Sequence, residues 1–151
     1  MLESDRLVHM LRALAILLLS TAPALAWEVR QGRICELVHD GEDASVRVTY
    51  DPALPEYAIA ITPKRPWQQG SVFAMRFDGP RGNTISTDRH ALSGGGATLT
   101  VTDRGFGNVL NGLEFNHTAT ALLGERTVVV PLDGAAPAVR EFRACASGLN
   151  V

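Results

Sequence analysis

Cys35 and Cys145 are the only two cysteines in this chain of 151 residues, and they stand 110 positions apart. In an oxidising compartment two lone thiols pair with each other, so the chain must fold with these distant segments in contact. Closing a loop of about 110 residues restricts the unfolded chain by about 4–5 kcal/mol in the chain-entropy treatment. A redox-active pair would require C-x-x-C spacing, which is absent, and a zinc site would require more cysteines or paired histidines. A structural Cys35–Cys145 disulfide is therefore expected.

The N-terminal residues point to such a compartment. "LRALAILLL" (11–19) is apolar apart from Arg12, and "STAPALA" (20–26) ends in the small-x-small triplet Ala24-Leu25-Ala26. This order of basic flank, short apolar core and small-residue site is that of a secretory signal peptide. A spanning helix needs about twenty apolar residues, and Pro23 ends the run early. Residues 1–26 are read as the signal and 27–151 as one domain, with no membrane span after cleavage. Initiation at Met10 rather than Met1 would remove Glu3 and Asp5 from the basic flank and give a cleaner signal.

The net charge is −2, and the bases, with Lys64 the sole lysine, are scattered along the chain. That pattern offers no phosphate-tracking stripe and no electrostatic case for nucleic acid.

Beyond Trp27 the chain alternates turn chemistry with short runs of period two. "HDGED" (39–43), "YDPALPE" (50–56), "TPKRPWQQG" (62–70), "DGPRGN" (78–83) and "SGGG" (93–96) are turn or loop segments. Between them, "SVRVTY" (45–50), "YAIAIT" (57–62), "SVFAMRFDG" (71–79), "ATLTVTD" (97–103) and "RTVVVPL" (126–132) read as strands. In the first three, Val46 and Val48, Ile59 and Ile61, and Phe73, Met75 and Phe77 fall on one face. Strands of this length at this spacing predict a mainly β fold, an antiparallel sandwich or barrel. "FGNVLNGLEF" (106–115) has helical spacing. "PLDGAAPAVREFRAC" (131–145) predicts a second helix with Asp133 as cap, Val139 and Phe142 on one face, and Cys145 at its end beside Arg140 and Arg143.

A signal peptide, Trp27 and Cys35 opening a β-rich body, "GFGNVLNGL" and a closing "VVVPLDGAAPAVREFRACA" together resemble the invasion-associated locus B-like proteins of alphaproteobacteria. The resemblance implies a small periplasmic or secreted β-sandwich protein. It implies no catalytic residue.

Motifs for chemistry are sparse. His90 and Ser93 precede a glycine run, but i and i+3 on a strand face opposite ways and G-x-S-x-G is absent. A hairpin turn accounts for the glycines. His39, His90 and His117, with Asp40, Asp88 and Glu114 nearby, lack metal-ligand spacing, so no metal is expected. No phosphate loop is present and no cofactor is implied. Glu42 and Asp43 lie in a turn, where acids serve solvation. Asn116-His117-Thr118 fits a glycosylation sequon.

The most unusual segment is the 62–70 loop, where Lys64, Arg65 and Trp67 stand between Pro63 and Pro66. Prolines stiffen a loop, and Trp and Arg are enriched at interaction hot spots. These three residues form a possible contact loop if Trp67 is exposed. The alternative is a corner whose Trp folds back onto the sheets. The expectation is an exported, non-enzymatic protein that binds a protein or envelope component. The other readings are a small secreted hydrolase acting on envelope polymers and an inhibitor of an extracytoplasmic enzyme.

Overall fold

A computed structural model describes residues 27–149; the signal peptide, its cleavage after Ala26 and the Met10 start lie outside the described residues. Ten strands and two helices follow one another: β1 (Glu28–Gln31), β2 (Cys35–Asp40), β3 (Ala44–Asp51), β4 (Glu56–Pro63), β5 (Phe73–Asp78), β6 (Asn83–Thr87), β7 (Ala91–Ser93), β8 (Thr98–Asp103), α1 (Gly107–Phe115), β9 (Thr118–Leu123), β10 (Arg126–Pro131) and α2 (Ala135–Leu149). One antiparallel sheet of six strands runs β1-β2-β3-β4-β8-β7, and a second of four runs β10-β9-β5-β6. No described helix is long and apolar enough to cross a membrane.

The alternation seen in the sequence sets which face is buried. Leu37, Val46, Val48, Ile59, Ile61 and Leu99 form the inner face of the six-stranded sheet. Phe73, Met75, Phe77, Leu123, Val128 and Val130 form that of the other, and all belong to one contiguous core. β2 also alternates, whereas β9, central in its sheet, buries Ala119, Thr120 and Ala121 in succession, and its weak apolar character hides it from periodicity. Polar β1 and β6 and the three-residue β7 are edge strands that pairing alone defines.

α1 buries Val109, Leu110, Gly112 and Leu113. Asn116 ends it in extended conformation and ties it to the β5–β6 turn. Its Nδ2 donates to Gly112 O and Arg81 O, each at 3.0 Å, and its Oδ1 accepts from Arg81 N at 3.0 Å. A buried amide committed to three hydrogen bonds cannot carry a glycan in the folded protein, so the sequon at Asn116 is structural.

α2 differs from its expected span. Asp133 and Gly134 form a turn before it, with Gly134 at φ 75°, and the helix begins at Ala135 and continues past Cys145 to Leu149. Pro137 sits in its first turn, where a missing N–H costs nothing. No base lies in its last turn. Instead of complementing the helix dipole, Arg143 reaches across to α1, donating from Nη2 to Asn111 Oδ1 at 2.7 Å and lying 3.6 Å from Glu114. Val139 and Phe142 are both fully buried.

Cys145 bonds to Cys35 with a Cα–Cα distance of 6.1 Å, fastening α2 to the first residue of β2. Beside this bond, Tyr57 packs against the rings of Tyr50 (4.6 Å), Phe106 (5.5 Å) and Phe142 (6.3 Å). Burial raises the Tyr57 hydroxyl above its usual pKa, nearby Tyr50 adding to the shift and Arg143 opposing it.

On the outer face of the six-stranded sheet, Arg47 on β3 donates to Glu36 on β2 at 2.6 Å. The hydrogen bond from Arg47, and then its charge, hold the Glu36 carboxyl below its ordinary value against partial desolvation. A depressed folded-state value stabilises the fold above the unfolded carboxyl pKa, and that stabilisation disappears as pH falls through the folded one. The pair is partly exposed, so its worth is at most about 1 kcal/mol. Glu36→Gln is therefore expected to lower stability slightly at pH 7 and to lessen the loss of stability below about pH 4, as read by urea titrations across that range.

Candidate functional site

The 62–70 segment is a corner whose Trp67 folds back onto the sheets, so the expected exposure of this residue is not found. Trp67 is 4% exposed. Its Nε1 donates to Ile61 O at 3.1 Å, and its ring meets Phe73 edge-on at 6.3 Å. The backbone is also held: Trp67 N donates to Gly96 O at 2.7 Å and Lys64 N to Asp43 O at 3.1 Å. Arg126 donates to Arg65 O at 2.8 Å. Lys64 and Arg65 remain exposed, but the aromatic anchor that would give a contact loop its affinity is in the core. The glycine run is the β7–β8 turn, with positive φ at Gly94, Gly95 and Gly96. A Cβ on Gly96 would stand 2.6 Å from Trp67 O, so this glycine is what lets the corner close onto the turn.

The other candidates are dispersed. His39 is buried on β2 and stacks on Trp27 at 4.4 Å with planes 7° apart. His90 Nε2 lies 2.9 Å from Gly70 O, which leaves it braced against the corner and not directed at Ser93. His117 is exposed in the α1–β9 connection. Asp40 closes β2, Asp88 lies between β6 and β7, and Glu114 faces Arg143. Among the described residues no three His, Cys, Asp or Glu side chains are grouped to hold a metal. Glu42 and Asp43 line a cavity of about 200 Å³ together with Asp133 and His39. All three carboxylates are exposed, and solvated acids need no partner chemistry to explain them.

A more developed site lies where no motif points, between the edges of the two sheets. A cleft of about 440 Å³ opens between β6 and β8 and reaches the start of α1. Ile59 and Val101 form its wall from the six-stranded sheet, Phe73, Met75 and Ile85 its wall from the other, and Phe106 and Val109 its end. β7 pairs only with Thr98, Thr100 and the residue between them. The remaining length of β8, from Val101 to Asp103, and the edge strand β6 therefore leave this side of the sandwich open. The volume falls within the range of small-molecule sites, which combine an apolar lining with a few placed polar groups.

Those polar groups are Ser86, Thr87, Asn108, Arg89 and Asp103. Arg89 Nη2 and Asp103 Oδ2 stand 3.1 Å apart, with side chains 68% and 45% exposed. They are the only charged groups in the lining. The only acid in the lining is thus paired with a base. The geometry suits binding through an apolar floor with charges at the rim. A shallower depression over Trp67 and the glycine turn, about 540 Å³, contains no ionisable group.

No family model, curated protein or solved structure matches this chain. The case for function accordingly rests on the cleft and on the sequence.

Sequence reasoning missed this site for an identifiable reason. Its floor is made of residues from β4, β5, β6, β8 and α1 that read individually as core. Only the sheet order, which ends one sheet at β6 and shortens β7, opens a cleft beside them, with Ile85 and Val101 half-buried and the other five still buried. The one available signal was compositional: "NTIST" (83–87) has no charge and no proline, the usual protections of an exposed sheet edge.

Proposed function

We propose that this is an exported, non-enzymatic binding protein of the cell envelope, whose ligand occupies the cleft between β6 and β8. The observation that carries this reading is an open apolar cavity of about 440 Å³ whose sole acid is engaged by Arg89. A cavity with an apolar floor favours an apolar group by about 25 cal/mol per Å² of surface removed from water. Export is supported by the form of residues 1–26 and by the pairing of both cysteines. The resemblance to the invasion-associated locus B-like proteins points the same way.

The test is binding of the neutral fluorophore N-phenyl-1-naphthylamine to the purified, disulfide-intact protein. Wild type is expected to give a saturable rise in emission. Val101→Trp, which places an indole in the cleft, is expected to weaken it at least tenfold with the thermal transition little changed. Ile85→Trp fills the cleft from the opposite wall and serves if the first variant folds poorly. Probe binding that survives both substitutions in folded protein would remove the cleft as the ligand site.

A further inference from the structure

The charges at the rim narrow the ligand class, an inference that rests on the cleft being the binding site. Arg89 and Asp103 are the only charged side chains lining it, they have opposite sign, and they face each other at 3.1 Å. An amphipathic anion binding to the free edge of Arg89 would set a second carboxylate beside that of Asp103 on one guanidinium. An amphipathic cation binding to Asp103 would set its charge against Arg89. Like charges brought into contact discriminate strongly between otherwise similar ligands. A neutral apolar molecule would leave the pair intact but gain nothing from it. A zwitterion satisfies both: its anionic group takes Arg89, its cationic group takes Asp103, and no charge is left unmatched.

The two charges of that zwitterion must sit close together, because the groups they replace are in direct contact, and they must be attached to an apolar body that reaches Ile59, Met75 and Val101 below. We propose that the cleft binds a free α-amino acid with a large apolar or aromatic side chain. Its carboxylate pairs with Arg89 and its ammonium group with Asp103, and its side chain lies on the apolar floor. The headgroup stays at the exposed rim, so neither charge is fully desolvated, whereas the side chain is. Thr87 and Asn108 also line the cleft, Thr87 Oγ1 accepting from Arg89 N at 3.0 Å.

Isothermal titration of the intact protein with L-phenylalanine, N-acetyl-L-phenylalanine and L-phenylalaninamide tests this directly, since the three share a side chain and differ in charge. The zwitterion is expected to bind at least tenfold more tightly than the N-acetyl anion or the amide cation. Arg89→Gln and Asp103→Asn should each weaken L-phenylalanine at least tenfold, with the thermal transition as the check on folding. If the acetylated acid or the amide binds as tightly as the amino acid, the paired-charge recognition is wrong. If none of the three binds while the fluorophore still enters the cleft and is expelled by Val101→Trp, this inference falls and the cleft reading stands. If the fluorophore is indifferent to both cleft-filling variants, both fall.

Discussion

Removing the disulfide, as Cys35→Ala/Cys145→Ala, is expected to destabilise the protein by about 2–5 kcal/mol. That is a large share of the roughly 5–15 kcal/mol that holds a domain folded. Freed of the cross-link, the unfolded chain regains the entropy of a loop of 110 residues. In the native state Cys35 is wholly buried, so truncation also leaves a gap beneath α2. The consequence should be local before it is global. α2 packs on β1, β2 and α1, and the bond is its covalent tether to the first of the sheets. Urea unfolding of wild type and the double variant checks the magnitude. Hydrogen exchange checks the order, with α2 amides expected to lose protection before those of β3 and β4. Equal loss across the sheets and α2 would mean that the bond acts on the whole fold and not chiefly on the helix. The oxidised protein treated with reductant should behave like the variant, which separates the bond from the side effects of the substitutions.

The second large effect is expected at Gly112, in the middle of α1. Glycine in a helix interior normally costs about 1 kcal/mol relative to alanine, so Gly→Ala there should stabilise. Here the reverse is expected. A Cβ at Gly112 would stand within the van der Waals surface of the Phe77 ring, and Phe77 is itself 1% exposed with nowhere to retreat. Gly112→Ala should therefore destabilise by about 1–3 kcal/mol, and Gly112→Val by more, the cost of overpacking. The control is Phe77→Leu: with the ring gone, Gly112→Ala should become less harmful, giving a coupling energy of about 1 kcal/mol or more in the double-mutant cycle. Additive effects of the two substitutions would mean that the close approach is not what requires glycine. The same displacement of α1 should disturb the cleft, because Val109 at its end belongs to this helix and Phe106 immediately precedes it.

Several elements were legible because local chemistry alone dictates them. Val46 and Val48, Ile59 and Ile61, and Phe73, Met75 and Phe77 alternate with smaller or polar residues, and only an extended chain puts such sets on one face. α1 was readable from Val109, Leu110 and Leu113. The end of α2 was not, because what carries the helix past Cys145 is the packing of Ala146, 3% exposed. Alanine looks alike inside a helix, a turn or a core. Trp67 shows the limit most clearly. Its neighbours Pro63 and Pro66, with Lys64 and Arg65, have the composition of a binding loop. Its fate was decided by Ile61 O, Phe73 and Gly96, which lie nearby in space and are spread from residue 61 to residue 96.

By itself, the sequence determined the fold class, the inner faces of the main strands and the pairing of its two cysteines, because hydrophobic periodicity and the count of thiols are properties of the chain before it folds. Only the tertiary structure decided that Trp67 belongs to the core, that Asn116 is a clamp, and that seven apolar residues from five elements line an open cleft with Arg89 and Asp103 at its rim. The physical reason is that exposure depends on the order in which strands pair, and sheet order is a long-range property. No run of neighbouring residues encodes where a sheet stops.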